Sequence, residues 1–119
     1  MKDEFSTFDC CKILGIKRDL LKEYLGRGFI VPYKKISWGE REKTIFNRLS
    51  LYRINLVLKL KKAGLSRSSA AAIAMLMGFK ATYGTIGMSE EFILNINLEK
   101  IKTETDKLIA GFINERGSL

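Results

Sequence analysis

The sequence predicts a mainly α-helical fold: a winged helix-turn-helix with a small β-hairpin wing, followed by a short strand and a C-terminal amphipathic helix. Three observations predict it. Two short amphipathic helices are separated by a Gly-containing turn, a polar Gly-centred hairpin signal follows them, and two Asn- or Ser-capped helical runs come next. The chain has 119 residues, 46% of them hydrophobic, a length and composition that suit one compact core.

In "TFDCCKIL" the apolar positions Phe8, Cys11 and Leu14 recur at helical spacing, with Cys10 and Ile13 beside them, and Gly15 ends the run. After the turn "GIK", the segment "RDLLKEYLG" puts Leu20, Leu21, Tyr24 and Leu25 on one face. Arg18 and Lys22, four apart, share the opposite face, and Asp19 suits the positive end of the helix dipole. Phe29 to Val31 then run into Pro32, and "YKKIS" and "EKTIF" flank the polar "WGER". That pattern is a β-hairpin carrying Lys34, Lys35, Arg41 and Lys43. Trp38 at its tip is expected to pack against Tyr33 or across the strands.

Asn47 is a suitable N-cap for "RLSLYRINLVLKLKKAG", whose Leu49, Tyr52, Leu56 and Leu60 keep helical spacing up to Gly64. Lys59, Lys61 and Lys62 fall in its last turns, where the macrodipole accounts for them. Ser66 caps the Ala-rich "RSSAAAIAMLMG", closed by Gly78. "GTIGMSEE" reads as a flexible connection, lacking the Lys and the Ser or Thr of a phosphate cradle. In "FILNINL" the residues Phe92, Leu94, Ile96 and Leu98 alternate with Ile93, Asn95 and Asn97, a strand with one apolar face that pairs with its own copy or with "KATYGTI". Asn97 can cap a last helix of about four turns, with Ile101, Leu108, Ile109, Phe112 and Ile113 on one side and Lys100, Glu104 and Lys107 on the other.

Charge is distributed unevenly. Residues 1–67 carry 16 Lys and Arg against 7 Asp and Glu, whereas residues 68–119 carry 5 against 6. All of the +8 excess therefore lies in the front of the chain, as expected for a basic binding module followed by a near-neutral segment with another task. The expected division is residues 1–78 for binding and residues 79–119 for association. No apolar run approaches the ~20 residues that span a bilayer, and "MKDEFSTFD" lacks a signal-peptide core, so a cytoplasmic protein without a membrane partner is expected. With no His and only the adjacent Cys10 and Cys11, the cysteines cannot complete a four-ligand zinc site within one chain; they are expected to be small buried residues of a helix, the alternatives being a vicinal disulfide or a metal shared across a dimer. The absence of His, of an activated nucleophile and of a carboxylate pair argues against an enzyme, and no cofactor is implied.

The order of elements resembles the DNA-binding domain of the MerR family of transcription regulators over roughly residues 5–77. "CCKILGIKRDLLKEYLGRGFIVP" lies over that family's first helix, turn, recognition helix and Pro-terminated exit, and "IFNRLSLYRINLVLKLKKAGLS" lies over the end of its wing and its third helix. The resemblance implies that Tyr24 contacts phosphate and that Lys22 takes the place of the helix-face Arg. The family's wing-terminal Arg-aromatic pair is replaced by Ile45 and Phe46, so wing contact falls to Lys34, Lys35, Arg41 and Lys43. Lys17 stands where the family has a small polar cap.

The expected function is sequence-specific binding of double-stranded DNA as a small transcription regulator, with Arg18 and Lys22 at base edges and Lys17, Tyr24 and the hairpin cations at phosphates. RNA polymerase is the further partner that such a regulator implies. The alternatives are an excisionase-like architectural factor that bends DNA for a recombinase, and a protein-interaction adaptor without DNA. A homodimer on a palindromic operator is expected, through Phe92, Leu94, Ile96, Ile101, Leu108, Ile109 and Phe112, because the MerR family dimerises through a helix in the matching place; the alternative is that strand and helix fold back onto the fourth helix of the same chain and complete a monomer core.

Overall fold

The computed structural model describes residues 3–117, which form five helices and two small antiparallel sheets. A two-residue strand β1 (Glu4–Phe5) leads into α1 (Thr7–Leu14) and α2 (Arg18–Gly26). The hairpin β2 (Lys34–Trp38) and β3 (Arg41–Asn47) follows, then α3 (Arg48–Lys62) and α4 (Arg67–Leu76). A second hairpin, β4 (Tyr83–Gly87) and β5 (Ile93–Asn97), precedes α5 (Leu98–Gly117). No helix among the described residues is long and apolar enough to cross a membrane.

Local chemistry sets the ends of these elements. Ser6 accepts from the Asp9 amide while Asp9 reaches back to the Ser6 amide, a reciprocal cap that starts α1. Gly15, at φ 66°, takes the left-handed conformation that stops it. Asn47 and Ser50 make the same reciprocal arrangement for α3, Ser66 caps α4, and Asn97 accepts from the Lys100 amide at the start of α5. In β2–β3 the two-residue loop is Gly39-Glu40, with positive φ at Gly39, the pattern of a II′ hairpin turn.

α3 is the central element. Leu51, Ile54, Leu56 and Val57 are almost fully buried, so it is covered on more sides than one amphipathic stripe requires. Around it pack Cys10 and Ile13 of α1, Leu21 and Tyr24 of α2, Phe46 of β3, and Ala70, Ile73 and Ala74 of α4. The same core takes in Phe79, Ile96, Leu98 and Ile109, so its apolar packing runs without a break past residue 78.

The C-terminal part departs from the sequence reading in three ways. Of the two partners expected for the "FILNINL" strand, β5 pairs with "KATYGTI" of the same chain, in the register Tyr83↔Asn97, Thr85↔Asn95 and Gly87↔Ile93, so that Gly84 to Gly87 of "GTIGMSEE" are strand β4 rather than a flexible connection. Gly84 weakens the strand signal, and the absence of a side chain there leaves room for Met77 and Leu98. A Cβ at this position would lie 2.5 Å from the Met77 sulfur and 3.2 Å from Leu98 Cδ1. α4 ends at Leu76 rather than at Gly78, and the left-handed residue that follows is Phe79, at φ 61°. Such a backbone costs on the order of 1–3 kcal/mol in a non-glycine residue, and it persists because Phe79 is buried against Tyr52, ring centroids 5.4 Å apart.

The third departure is α5, which spans 20 residues and lies against α3 and α1 of its own chain. Ile96 and Ile109 are core residues, and Leu94, Ile101 and Phe112 are half-buried against that core. These five members of the expected dimerisation stripe are thus packed on the chain's own core, Ile101, Ile109 and Phe112 from α5, which lies against α1 and α3, and Leu94 and Ile96 from β5. Phe92 and Leu108 remain exposed, at 70% and 40%. A polar seam runs beside this packing: Asn55 donates to Thr105, Tyr52 donates to Asp106, and Lys59 pairs with Glu104 at 2.8 Å. Arg48 bridges Asp3 and Asp106 at 3.0 and 2.9 Å.

Candidate nucleic-acid interface

α2 begins in the extended residue Lys17, which supplies no side-chain cap. From there the helix buries Leu21 and Tyr24, half-buries Leu20 and Leu25, and turns Arg18, Lys22 and Asp19 outward. Three exposed cations, Lys17, Arg18 and Lys22, therefore lie within six positions of the chain. None of them enters an ion pair or side-chain hydrogen bond among the described residues. The nearby Glu23 is engaged instead by Arg67 at 2.6 Å and Arg27 at 3.3 Å, which ties α2 to the first turn of α4. Burial pushes the Cys11 thiol above its ordinary range, and the Arg18 guanidinium opposes that push.

Tyr24 is placed differently from the expectation. It is 3% exposed and packs edge-on against Phe29, centroids 5.9 Å apart, so the side chain serves the core beneath the helix. The amphipathic spacing that put it on the apolar face with Leu21 carried this information, and it outweighs the phosphate role that the resemblance implied.

The hairpin β2–β3 projects with every β2 side chain exposed. Directly opposed residues share a face, so the register sets Ile36 with Lys43 and Trp38 with Arg41 on one side. Lys35 lies on the other side, with Thr44, Ser37 and Glu42. Lys34 is paired with Glu4 of β1 at 3.0 Å and Lys35 with Glu42 at 3.6 Å, whereas Arg41 and Lys43 enter no ion pair among the described residues. Exposed pairs of this kind are worth about 0–1 kcal/mol, so Lys34 and Lys35 remain available to a competing anion.

Trp38 is set across the strands from Arg41, one of the arrangements expected for it, and stays 53% exposed, with Ile36 at 41% beside it. Counting outward from the Gly39-Glu40 turn gives this alternation directly, and in the sequence that count places both apolar residues among the cations. Lys59, assigned no site role, pairs with Glu104.

Cys10 is buried and its thiol is pushed far above the ordinary range by desolvation, so it is inert packing. Among the described residues no group of three or more Cys, Asp and Glu side chains is placed to hold a metal. In comparison with known proteins, no family model and no curated protein matches the chain.

Proposed function

We propose that the chain is a winged helix-turn-helix regulator that binds duplex DNA, with α2 in the major groove and the hairpin β2–β3 as the wing. One observation carries this reading. Arg18 and Lys22 on α2, Lys17 before it, and Arg41 and Lys43 on the hairpin are exposed and have no ion-pair partner among the described residues, while the opposite side of α2 is core. Cations left unpaired at two elements of one small domain are what phosphate and base-edge contact requires. Arg18 and Lys22 read base edges, and Lys17, Arg41 and Lys43 hold phosphates, with Lys34 and Lys35 able to exchange their carboxylates for phosphates. The protein acts in the cytoplasm as a homodimer on a palindromic site, without catalysis of its own.

Selection of bound duplexes from a random pool tests the reading, followed by the same selection with Arg18→Ala. A recovered site whose preference relaxes in Arg18→Ala is expected, with a loss of about 1–3 kcal/mol on the original site. An unchanged preference in Arg18→Ala removes α2 from the groove. Failure to enrich any duplex favours the adaptor.

The exposed Trp38 and Ile36 favour a second role within DNA binding. An apolar pair on the cationic face of a projecting ribbon is suited to wedge into a minor groove and bend the duplex, as an architectural factor does. End-to-end energy transfer on the selected duplex distinguishes the two: a bend lost in Trp38→Ala supports the architectural role, and a straight duplex supports the plain regulator.

A further inference from the structure

The hairpin β4–β5 is the part of the surface to which DNA binding gives no task. From Tyr83 to Asn97 the chain has no Lys or Arg, against 21 in the whole sequence, and its charges there are Glu90 and Glu91. Beside them at the tip stand Met88, Phe92 and Ile93, at 50%, 70% and 71% exposure. An apolar, acidic projection on a protein of net charge +8 is a mark of an interaction surface.

The other end of the same hairpin borders a groove along α5. Its larger part, about 520 Å³, is lined by Thr82, Tyr83, Asn97 and Thr103, with Lys100 and Lys107. An adjoining hollow of about 280 Å³ shares Thr82, Glu99 and Thr103 and adds Lys80 and Lys102. Of the acids along this groove, Glu104 is paired with Lys59 and Asp106 with Arg48. Glu99 has no ion-pair partner among the described residues and shares the lining with Lys80, Lys100, Lys102 and Lys107, so the groove is cationic.

We infer that the tip of this hairpin, residues 88–93, seats in the α5 groove of a second copy, and that the second copy's tip returns the contact, making a two-fold homodimer. Tip and groove are complementary in charge. They also lie at opposite ends of one five-residue hairpin, roughly 17 Å long at about 3.4 Å per residue. Two such hairpins laid antiparallel bring each tip to the other's base, the reciprocal geometry that a two-fold interface demands. The outward faces that meet between the ends carry Tyr83, Thr85, Ile93 and Asn95, all exposed and uncharged, so no like charges oppose each other there. The cationic surfaces of α2 and the β2–β3 hairpin take no part in this contact.

This interface rests on the homodimer in the reading above and not on DNA, so sedimentation velocity of the full chain without DNA tests it. A dimer at micromolar concentration is expected, with self-association weakened at least about tenfold in Phe92→Ser/Ile93→Ser. All the substituted positions are exposed, and thermal melts of each variant verify the fold. Charge reversal separates this interface from any other. Glu90→Lys/Glu91→Lys and Lys100→Glu/Lys107→Glu should each be monomeric alone, and an equimolar mixture should form a heterodimer, because both contacts are then complementary. A monomeric full chain, or a dimer indifferent to all three variants, overturns the interface. Binding of a selected half-site, measured in parallel, shows whether the DNA reading survives that outcome.

Discussion

Thr105 is fully buried, and its hydroxyl meets two demands at once. It donates to the Ile101 carbonyl at 2.7 Å and accepts from the Asn55 amide at 3.0 Å, across the α3–α5 contact. Thr105→Val keeps the shape and removes the acceptor, leaving an amide N–H without its partner in a buried site. A loss of about 1–3 kcal/mol is expected, measured by urea unfolding. Adding Asn55→Leu to that variant should restore at least half of the loss, since an apolar pair carries no desolvation penalty; no recovery would mean that the two side chains are not coupled. The hydrogen bond was not legible in the sequence, where Thr105 reads as one more polar position between charged neighbours. Its partner lies 50 positions away, and only the crossing of two helices brings them together.

Among the elements, α2 stands apart in how it begins. Helices α1, α3 and α4 start at Ser6, Asn47 and Ser66, each accepting a backbone N–H, whereas Lys17 at the start of α2 offers no acceptor. Lys17→Ser should therefore raise stability by about 1 kcal/mol in thermal or urea melts. On the DNA reading the same change removes a phosphate contact, so duplex affinity should fall and the slope of log K against log salt should decrease by about one. A stabilised protein with unchanged DNA affinity would strip Lys17 of its role while leaving the capping argument intact. Stability and binding then oppose each other at one residue, which gives a physical reason for a poor cap at the head of the helix that carries Arg18 and Lys22.

For the molecule as a whole, the core joins residues on both sides of position 78. Phe79, Ile96, Leu98 and Ile109 are at most 6% exposed, and all lie beyond α4. A chain ending at Gly78 would uncover the α1–α3 groove that α5 fills, together with the surface of Met77 and Tyr52. Burial of four such side chains is worth several kcal/mol at roughly 1.5–3 kcal/mol each, a large part of the stability of a domain this size. The truncated chain is expected to lose its cooperative melting transition by circular dichroism. A sharp transition near that of the full chain would show that residues 3–78 fold independently.

Local features determined most of the elements in this protein. Ser, Asn and Gly at the ends of helices, the Gly39 turn and the 3.6-residue spacing of Leu21, Tyr24 and Leu25 act over a few residues and are written in consecutive positions. The same spacing held Arg18 and Lys22 outward, so that part of the candidate interface was legible too. Tertiary structure alone decided three matters. It gave α5 to the chain's own core, because an apolar stripe is the same in sequence whether a neighbour helix or a second copy covers it. It settled which of two expected partners the "FILNINL" strand takes, drawing "GTIGMSEE" partly into β4 and setting Gly84 close to the side chains of Met77 and Leu98, because strand pairing depends on where the chain folds back and not on the strand's own residues. It divided the hairpin cations into those paired with Glu4 and Glu42 and those left unpaired, because ion pairs depend on distances between strands, which register and sheet order fix and no short stretch of sequence encodes.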